Sequence, residues 1–403
     1  MVLKADVAPP KHTWWYRPLL AVGRPLLLPF VRRMYKIMTE KYTGKIPDAS
    51  IVMFNHVSDY DFIGTLNGFR PYARYVASDA LIRKRYMRFI MGLVSDFIFR
   101  RKGENGDNVV ESVKATIAKG VHVCIAPEGG ESINGTTAYI RPRTGQMVKD
   151  ANAGMVTFRM EGGYFLKPSW SKHRYKGPMY GRVVGVYTKE EMAALSAEEI
   201  NDIIYRDLYV NSYEWQREHK ELYEGDTGRA EFMEQVLYLC PKCKKVGGLH
   251  SKHNTLSCSE CGYTLEVDQY GFFTGEEVIF DNLYDWDVWQ RNLINSKVDE
   301  YKADPEKVIF SDSGQILKGL ENNYPYVIEE NVTLSMSAAR ITIKGEKTDI
   351  DLPLEEVQSI TVVSREDVGI IHKGVYYQVG AEVLRSGVKY KQLISMLRGR
   401  QFL

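Results

Sequence analysis

The strongest constraint on the fold is an alternation of short apolar segments with helical segments between residues 51 and 126. The apolar segments have the composition of buried strands, and helix-start or helix-stop residues mark the segments between them. The predicted strands are Ile51–Asn55, Tyr72–Ala77, Asp96–Arg100 and Val121–Ala126, and the predicted helices are Ser58–Gly68, Asp79–Gly92 and a helix from Asp107 or Asn108 to Lys119. This alternation predicts an α/β fold, a mixed sheet flanked by helices, with functional side chains at the ends of the strands.

His56 stands directly after the first predicted strand, where an imidazole is well placed to exchange a proton with a substrate. Asp61 follows five residues later, a spacing that would put the two side chains about 140° apart on one regular helix. They can meet only if the chain turns between them, and Ser58 supplies such a turn. The pattern predicts a pair in which Asp61 holds the imidazole tautomer and His56 is a general base. The alternative is that Ser58 and Asp61 only cap the helix.

Four of the five cysteines form two C-x-x-C pairs, and the fifth, Cys124, lies in an apolar run. The pairs are Cys240 with Cys243 and Cys258 with Cys261. Two such pairs about 14 residues apart are typical of a ribbon that brings four thiolates to one tetrahedral metal ion. We predict a structural zinc that stabilises this ribbon, because four protein ligands leave no open position for chemistry. Iron is the alternative metal.

The first 45 residues mix basic side chains with tryptophan, tyrosine and leucine. Arg24, Pro25 and Pro29 interrupt the apolar residues, so the segment lacks the run of about 20 apolar residues that a transmembrane helix needs. Interleaved cationic and aromatic residues are typical of a segment that lies in a membrane interface. We therefore predict a cytoplasmic protein attached peripherally, through Trp14–Val31, to the inner face of the cell membrane. The alternative is an amphipathic helix packed on its own domain.

The segments after residue 188 differ from the alternating part. Thr188 begins a long helical region that the sequence predicts to extend to Glu224. Beyond residue 271 the predicted elements are short strands and a closing helix, at Asn331–Ser337, Arg340–Lys344, Ser359–Ser364, Tyr376–Val379 and Val388–Arg398. Such a tail resembles a small barrel of the pleckstrin-homology or GRAM type. The predicted domains are residues 1–45, 46–235, 236–270 and 271–403.

Four motifs at predicted strand ends give the chain a family resemblance. They are Asn55–Asp61, with the sequence NHVSDYD, an apolar strand that ends in Arg100, the turn Pro127–Gly130 with the sequence PEGG, and an apolar segment with Pro168. In their order and spacing, residues 46–235 resemble the glycerolipid, or lysophosphatidic acid, acyltransferase family. A ribbon and tail after such a domain also resemble a bacterial subgroup of these enzymes.

The resemblance implies transfer of a fatty acyl group from acyl-CoA or acyl carrier protein to a hydroxyl of a lysophospholipid. The implied acceptor is 1-acyl-glycerol-3-phosphate and the product phosphatidic acid, with no organic cofactor. His56 and Asp61 would be catalytic. The implied substrate-binding residues are Arg100, Arg101, Glu128, Gly129, Gly130 and Pro168. Arginine forks would hold the acceptor phosphate, and Glu128 would bond the acceptor hydroxyls or an arginine. The basic segment Arg83–Arg88 would receive the phosphates of coenzyme A, the acidic face of the carrier protein or anionic lipid, and the alternative is that it is only a solvated basic face.

Departures from the family pattern bear on the acceptor. Phe99 replaces the acid usual before Arg100, and Gly130 and Glu131 stand where the family has threonine and a basic residue. These changes open the alternative of an acceptor without phosphate. A second alternative is a non-catalytic lipid-binding protein on the same fold, against which the intact His56 and Asp61 argue. Nucleic acid is not an expected partner, because no aromatic stacking positions accompany the lysines of the ribbon.

Overall fold

The computed structural model describes residues 16–78, 97–100, 107–225, 227–321, 324–363, 367–380 and 385–399. The chain divides into two compact units. The first consists of Met1–Ser169 and Tyr175–Gly225, and the second of Trp170–Arg174 and Asp226–Leu403. Each unit has a hydrophobic core of its own.

The first unit is built on a mixed sheet that has seven strands among the described residues. The strands of this unit are β1 (Ile37–Thr39), β2 (Ser50–Phe54), β3 (Ala73–Ser78), β4 (Ile98–Arg100), β5 (His122–Ile125), β6 (Gly154–Glu161), β7 (Tyr175–Lys176), β8 (Met179–Tyr187) and β9 (Glu224–Gly225). The sheet has the order β1-β8-β6-β2-β5-β3-β4, and β7 pairs with β9 separately. β2 is parallel to β5 and β6, whereas β8 is antiparallel to β6. The predicted mixed α/β sheet is confirmed.

Helices pack on this sheet and bury its apolar faces. They are α1 (Tyr16–Tyr35), α2 (Asp61–Gly68), α3 (Asp107–Ile117), α4 (Arg143–Ala151), α5 (Lys189–Ala194), α6 (Ala197–Leu208) and α7 (Ser212–His219). Every residue of β2 is buried, as expected for a central parallel strand covered on both faces. Ile51 and Met53 of β2 share one core with Val113 of α3, Val148 of α4 and Ile204 of α6. This packing fixes the end of β2, from which His56 projects.

The predicted strand positions agree with β2 to β5 to within two residues at each end. α3 ends at Ile117, two residues before the predicted end at Lys119, and Gly120 has φ +71° in the turn that follows, consistent with its predicted role as a stop signal. The predicted start of α2 at Ser58 is wrong, because the Ser58 hydroxyl accepts the Tyr60 N–H in a turn and the helix begins at Asp61. The predicted helix Asp79–Gly92 lies outside the described residues.

The predicted continuous helical region from Thr188 to Glu224 is also wrong, since it consists of three short helices. Thr188 and Ser196 each close a capping box with a glutamate three residues later, and Asn211 caps the third helix. Each cap satisfies backbone N–H groups at the start of a helix. Each capping residue therefore begins a new helix and does not continue the preceding one. Repeated Ser/Thr-x-x-Glu patterns in the sequence were the signal for these breaks.

The second unit contains a small antiparallel ribbon and a larger antiparallel sheet. The ribbon strands are β10 (Leu249–Lys252), β11 (Thr255–Cys258), β12 (Thr264–Val267) and β13 (Phe273–Thr274). The sheet strands are β14 (Phe310–Glu321), β15 (Tyr324–Met336), β16 (Arg340–Lys344), β17 (Asp349–Pro353), β18 (Val357–Val363), β19 (Asp367–His372) and β20 (Val375–Gly380), in the order β17-β16-β15-β14-β20-β19-β18. Its helices are α8 (Leu283–Asn295), α9 (Val298–Ala303) and α10 (Val388–Leu397). A β-rich tail with a closing helix is therefore present, and its kinship with pleckstrin-homology or GRAM domains stays a prediction.

The ribbon shares its packing with the larger sheet of the second unit. Tyr238 and Leu239, just before the first cysteine, belong to the same buried cluster as β14 to β20. Trp286 of α8 donates its indole N–H to the Leu239 carbonyl at 2.9 Å and stacks edge-on with Tyr263 and Phe273 of the ribbon. The sequence did not predict α8 or α9, although Asn282 caps α8 with its side chain.

Candidate active site

His56 and Asp61 meet at the carboxyl end of β2. The His56 Nδ1 lies 2.9 Å from the Asp61 Oδ2. The Asp61 side chain is 1% exposed, whereas that of His56 is 28% exposed. The imidazole is thus anchored by one edge on a buried carboxylate and is accessible to a substrate.

A tight turn between β2 and α2 makes this contact possible. The Asp61 Oδ2 accepts backbone N–H groups from Val57 at 2.7 Å and Ser58 at 2.9 Å, in addition to the His56 ring. These two amides hold the carboxylate in place at the first residue of α2, where a negative charge also suits the helix dipole. Burial raises the pKa of Asp61, whereas the His56 ring and the two amides oppose that rise. The contact with Asp61 favours a proton on the Nδ1, so in the neutral form of the imidazole the Nε2 is the acceptor.

Asn55 ties the end of β2 to the neighbouring strand. Its side-chain amide donates to the Met160 carbonyl at 2.8 Å, and its side-chain oxygen accepts the Met160 N–H at 2.7 Å. Asn55 is fully buried, so this bidentate bond fixes the strand end next to His56. The sequence predicts no role for Asn55, because its partner Met160 is 105 residues away along the chain.

Glu128 supports the histidine through the backbone. One carboxylate oxygen accepts the His56 N–H at 2.8 Å, and the other accepts the Ala138 N–H at 2.6 Å. Burial raises the pKa of Glu128 to about 8, against the opposing effect of these two amides. Both oxygens of Glu128 therefore accept a backbone amide, and the predicted bonds from Glu128 to acceptor hydroxyls or to an arginine stay a prediction. Glu128 positions the His56 loop.

Arg100 approaches the Pro127–Gly130 turn from the end of β4. A Cβ added to Gly129 would lie 2.6 Å from the Arg100 Nη1, and Gly129 has φ +71°. The left-handed backbone favours glycine at this position. Burial and the charge of Arg141 lower the pKa of Arg100. Gly130, by contrast, has open space around it, and Arg101 lies outside the described residues.

A group of charged side chains that the sequence did not single out for the site lies close to His56. Lys167, which is buried, forms an ion pair with Asp59. Burial raises the pKa of Glu131 to about 7, with a further contribution from its hydrogen bond to Asp59. Pro168 is buried beside Lys167, so the segment of the fourth motif reaches this region through the lysine.

Carboxylates on several sides determine the charge of His56. Burial lowers the pKa of His56, but the hydrogen bond and charge of Asp61, together with the charges of Glu131 and Glu128, raise it to about 9. The imidazolium is therefore stabilised in the resting protein. A base must be neutral before it accepts a proton, so this site predicts activity that rises into the alkaline range.

The four cysteines of the ribbon form a second candidate site, which is a metal site and not a catalytic one. Their sulfur atoms lie within 4.8 Å of one another, so these residues can hold a metal ion. The Sγ atoms of Cys240 and Cys261 are 3.6 Å apart, and those of Cys243 and Cys258 are 3.8 Å apart. Four thiolates at about 2.3 Å from a tetrahedral zinc would be about 3.8 Å apart, so the donor set fits zinc.

Both C-x-x-C pairs use the same backbone turn. The N–H of Lys244 donates to the Cys240 carbonyl at 2.9 Å, and the N–H of Gly262 donates to the Cys258 carbonyl at 3.0 Å. The residue four places after the first cysteine is left-handed in each pair, with φ 60° at Lys244 and 70° at Gly262. The two turns therefore present their sulfurs in equivalent ways.

The comparison with protein families finds a match within the first unit. Residues 40–161 match the family model described as Acyltransferase, which supports the predicted family for this region of the chain. The matched region contains His56, Asp61, Arg100 and the Pro127–Gly130 turn.

Comparisons with solved structures and with curated proteins add little about function. Among solved structures, the chain is similar to the 1-acyl-sn-glycerophosphate (LPA) acyltransferase PlsC from Thermotoga maritima, with 16% sequence identity and a TM-score of 0.35. That similarity covers 47% of this chain and 77% of the other. A likeness of this size carries no argument about substrate. No curated protein matches the chain.

Proposed function

We propose that this chain transfers a fatty acyl group from a thioester donor to a hydroxyl group of a lysophospholipid, with 1-acyl-glycerol-3-phosphate as the acceptor and phosphatidic acid as the product. The observation that carries the proposal is the 2.9 Å contact between the His56 Nδ1 and a carboxylate oxygen that two backbone amides already hold. An imidazole held by a carboxylate through its Nδ1 can, in its neutral form, accept the proton of a hydroxyl at its Nε2, and this is the group that activation of a hydroxyl requires.

The reaction follows from this geometry. The acceptor hydroxyl attacks the thioester carbonyl carbon while its proton moves to the His56 Nε2. Asp61 stabilises the imidazolium that forms. Collapse of the tetrahedral intermediate breaks the carbon–sulfur bond, and the departing thiolate takes the proton from the imidazolium. Ester and free thiol are the products, and the histidine returns to its neutral form. The donor is acyl-CoA or acyl carrier protein.

An acyl-transfer assay with a matched pair of acceptors tests this function. Purified protein is incubated with palmitoyl-CoA or palmitoyl carrier protein and either 1-acyl-glycerol-3-phosphate or 1-acylglycerol, which lacks only the phosphate. Thiol release and lipid mass spectrometry measure the product. We expect phosphatidic acid from the phosphate-bearing acceptor. Equal turnover of 1-acylglycerol would favour an acceptor without phosphate, and lysolipid binding without turnover would favour the non-catalytic alternative.

We also infer that the four-cysteine cluster binds one structural zinc. The near-tetrahedral sulfur spacing and the thiolate donors support a closed site, which holds the ribbon and takes no part in acyl transfer. Elemental analysis of the purified protein should give one zinc per chain. Iron at that stoichiometry, with the visible absorption of an iron–thiolate site, would contradict the zinc assignment.

Peripheral attachment to the inner face of the cell membrane is a third proposal, and α1 supports it. Val22, Leu26 and Phe30 are 62%, 71% and 64% exposed and recur every four residues, so they form an apolar stripe along one side of the helix. Arg32 and Arg33 are exposed at its end, where they suit anionic headgroups. Within the described residues, no helix is both long and apolar enough to cross a bilayer. Flotation with anionic vesicles should show binding that weakens with salt.

A further inference from the structure

The stretch from Gly163 to Ser169 packs directly on the histidine turn, which we define as residues 56–61. The Ser169 hydroxyl donates to the Ser132 carbonyl at 2.9 Å, and the Ser132 N–H donates to the His56 carbonyl at 2.8 Å. A Cβ added to Gly163 would lie 3.0 Å from the side chain of Val57, so the stretch and the turn touch. These contacts fix the stretch beside the His56 end of the turn.

Lys167 lies within this stretch, and its ammonium group forms an ion pair with Asp59 of the histidine turn. The Lys167 side chain is 9% exposed, whereas that of Asp59 is 45% exposed. Asp59 is three residues after His56 and two residues before Asp61. The ion pair therefore adds a second attachment between the stretch and the turn, near the Asp61 end.

The surroundings of Lys167 are apolar along the chain. Phe165 and Leu166, just before it, are buried. An uncharged side chain of similar length would fill the same space without the cost of removing an ammonium group from water. A buried ion pair is therefore weak evidence for a contribution to stability. The contact supplies a fixed position for Asp59 in the histidine turn.

Two other ion pairs of the first unit lie at the surface. Lys114 pairs with Glu111 at 3.0 Å and Arg143 with Asp107 at 2.8 Å, and all four side chains are more than a third exposed. Exposed pairs contribute little to stability. Because it is also a lysine–carboxylate pair, the Lys114 pair is a matched control for Lys167.

We propose that Lys167 is a positioning residue for acyl transfer. Its ammonium group fixes Asp59 and, through the backbone of the histidine turn, holds the Asp61 carboxylate 2.9 Å from the His56 ring. The inference rests on the proposed function, because it assigns the ion pair to the geometry of the proposed base. In this role Lys167 contacts neither reactant and acts only through the turn.

Lys167→Met separates this role from a structural one. Methionine keeps a similar length and removes the charge, and Asp59 stays hydrated because it is half-exposed. The melting temperature should stay at the wild-type value or rise. In contrast, kcat should fall about tenfold to a hundredfold at unchanged KM, as expected when a catalytic group is slightly misplaced.

Lys167→Arg and Lys114→Met complete the set of variants. Lys167→Arg keeps the ion pair and should restore most of the wild-type kcat, whereas Lys114→Met should change neither kcat nor the melting temperature. The proposal is overturned if Lys167→Met keeps the wild-type kcat. It is also overturned if kcat falls only in parallel with the melting temperature, because a structural role predicts that outcome.

A measurement without turnover separates this proposal from the proposed function. A proton held between the His56 Nδ1 and a buried carboxylate exchanges slowly with water and gives a downfield proton NMR signal, which His56→Ala identifies by its loss. The signal should be present in wild type and Lys167→Arg and weakened in Lys167→Met. That pattern in a protein without acyl transfer would refute the proposed function and keep the hold of Lys167 on the turn. A signal that is missing from wild type, or unchanged in Lys167→Met, would overturn that hold.

Discussion

The His56 site and the four-cysteine cluster are both built from short motifs, but they use their neighbours differently. The cysteine cluster draws all four sulfurs from Cys240–Cys261 and presents them on two equivalent local turns. The His56 site depends on groups far along the chain, such as Met160, Glu128 and Ala138. Four cysteines form a complete set of ligands for a tetrahedral metal ion, whereas the His56 ring is bound through its Nδ1 alone and is partly exposed.

Under the proposed function, this difference separates a site that holds structure from a site that does chemistry. Four thiolates would leave a tetrahedral metal ion no free position, so a bound metal would make the ribbon rigid without making it reactive. At His56 the supporting contacts fix the position or the charge of one ring, and no described residue forms a hydrogen bond with its Nε2.

Removing one sulfur should disrupt the closed site most strongly. Cys258→Ser is expected to lose the metal and the structure of β10 to β12, because zinc binding contributes about 10–16 kcal/mol in small zinc-finger peptides. Elemental analysis and amide hydrogen exchange of the ribbon measure both effects. Lys242→Ala is the control, since this exposed lysine lies between two ligands and pairs only at the surface with Glu277. A ribbon that stays protected in Cys258→Ser would show that the metal is dispensable.

Arg100→Lys should weaken binding of the phosphate-bearing substrate about tenfold to a hundredfold. A charge-assisted hydrogen bond to phosphate is worth about 1.5–3 kcal/mol, and lysine cannot copy the planar fork. The KM of the acceptor is the readout, with Arg143→Lys as the paired-arginine control. If neither Arg100→Lys nor Arg101→Lys changes that KM, the phosphate site lies elsewhere and the glycerol-phosphate assignment should be abandoned.

Glu131→Gln should move the pH dependence of the reaction without removing activity. The Glu131 charge is one of those that raise the pKa of His56 to about 9. The neutral base forms above that pKa, so loss of the charge should shift the rise of kcat/KM toward lower pH. Glu190→Gln, on an exposed helix turn, is the control and should keep the wild-type profile. An unshifted profile in Glu131→Gln would mean that the titrating group is not His56.

The smallest expected effect concerns the two cysteine turns. Lys244 adopts the left-handed backbone that Gly262 adopts in the other turn, at a cost that glycine avoids. Lys244→Gly should therefore stabilise the metal-loaded protein by about 1 kcal/mol or less. Chemical denaturation of the metal-loaded form measures this, and Lys245→Gly, outside the left-handed region, should destabilise instead. A loss of stability in Lys244→Gly would contradict the equivalence of the turns.

The sequence predicted features whose signals are local. The buried strands, the glycine that stops α3 and the two C-x-x-C pairs each depend on residues within a few positions of one another. The contact between His56 and Asp61 could be predicted for the same reason, since a single turn at Ser58 brings the two side chains together.

Features that depend on long-range contacts could not be predicted. The role of Glu128 depends on the backbone of His56, 72 residues away, and Lys167 reaches Asp59 across 108 residues. A single sequence carries no signal for pairings that the folded sheet creates.

The most direct test of the account is the acyl-transfer rate of His56→Ala at saturating substrate, beside its melting temperature. His56 is partly exposed and belongs to neither of the two core clusters of the described residues, so the variant should melt like wild type. Loss of a general base should lower kcat about 100- to 10,000-fold. A folded His56→Ala that keeps more than about a tenth of the wild-type rate would contradict the assignment of His56 as the base.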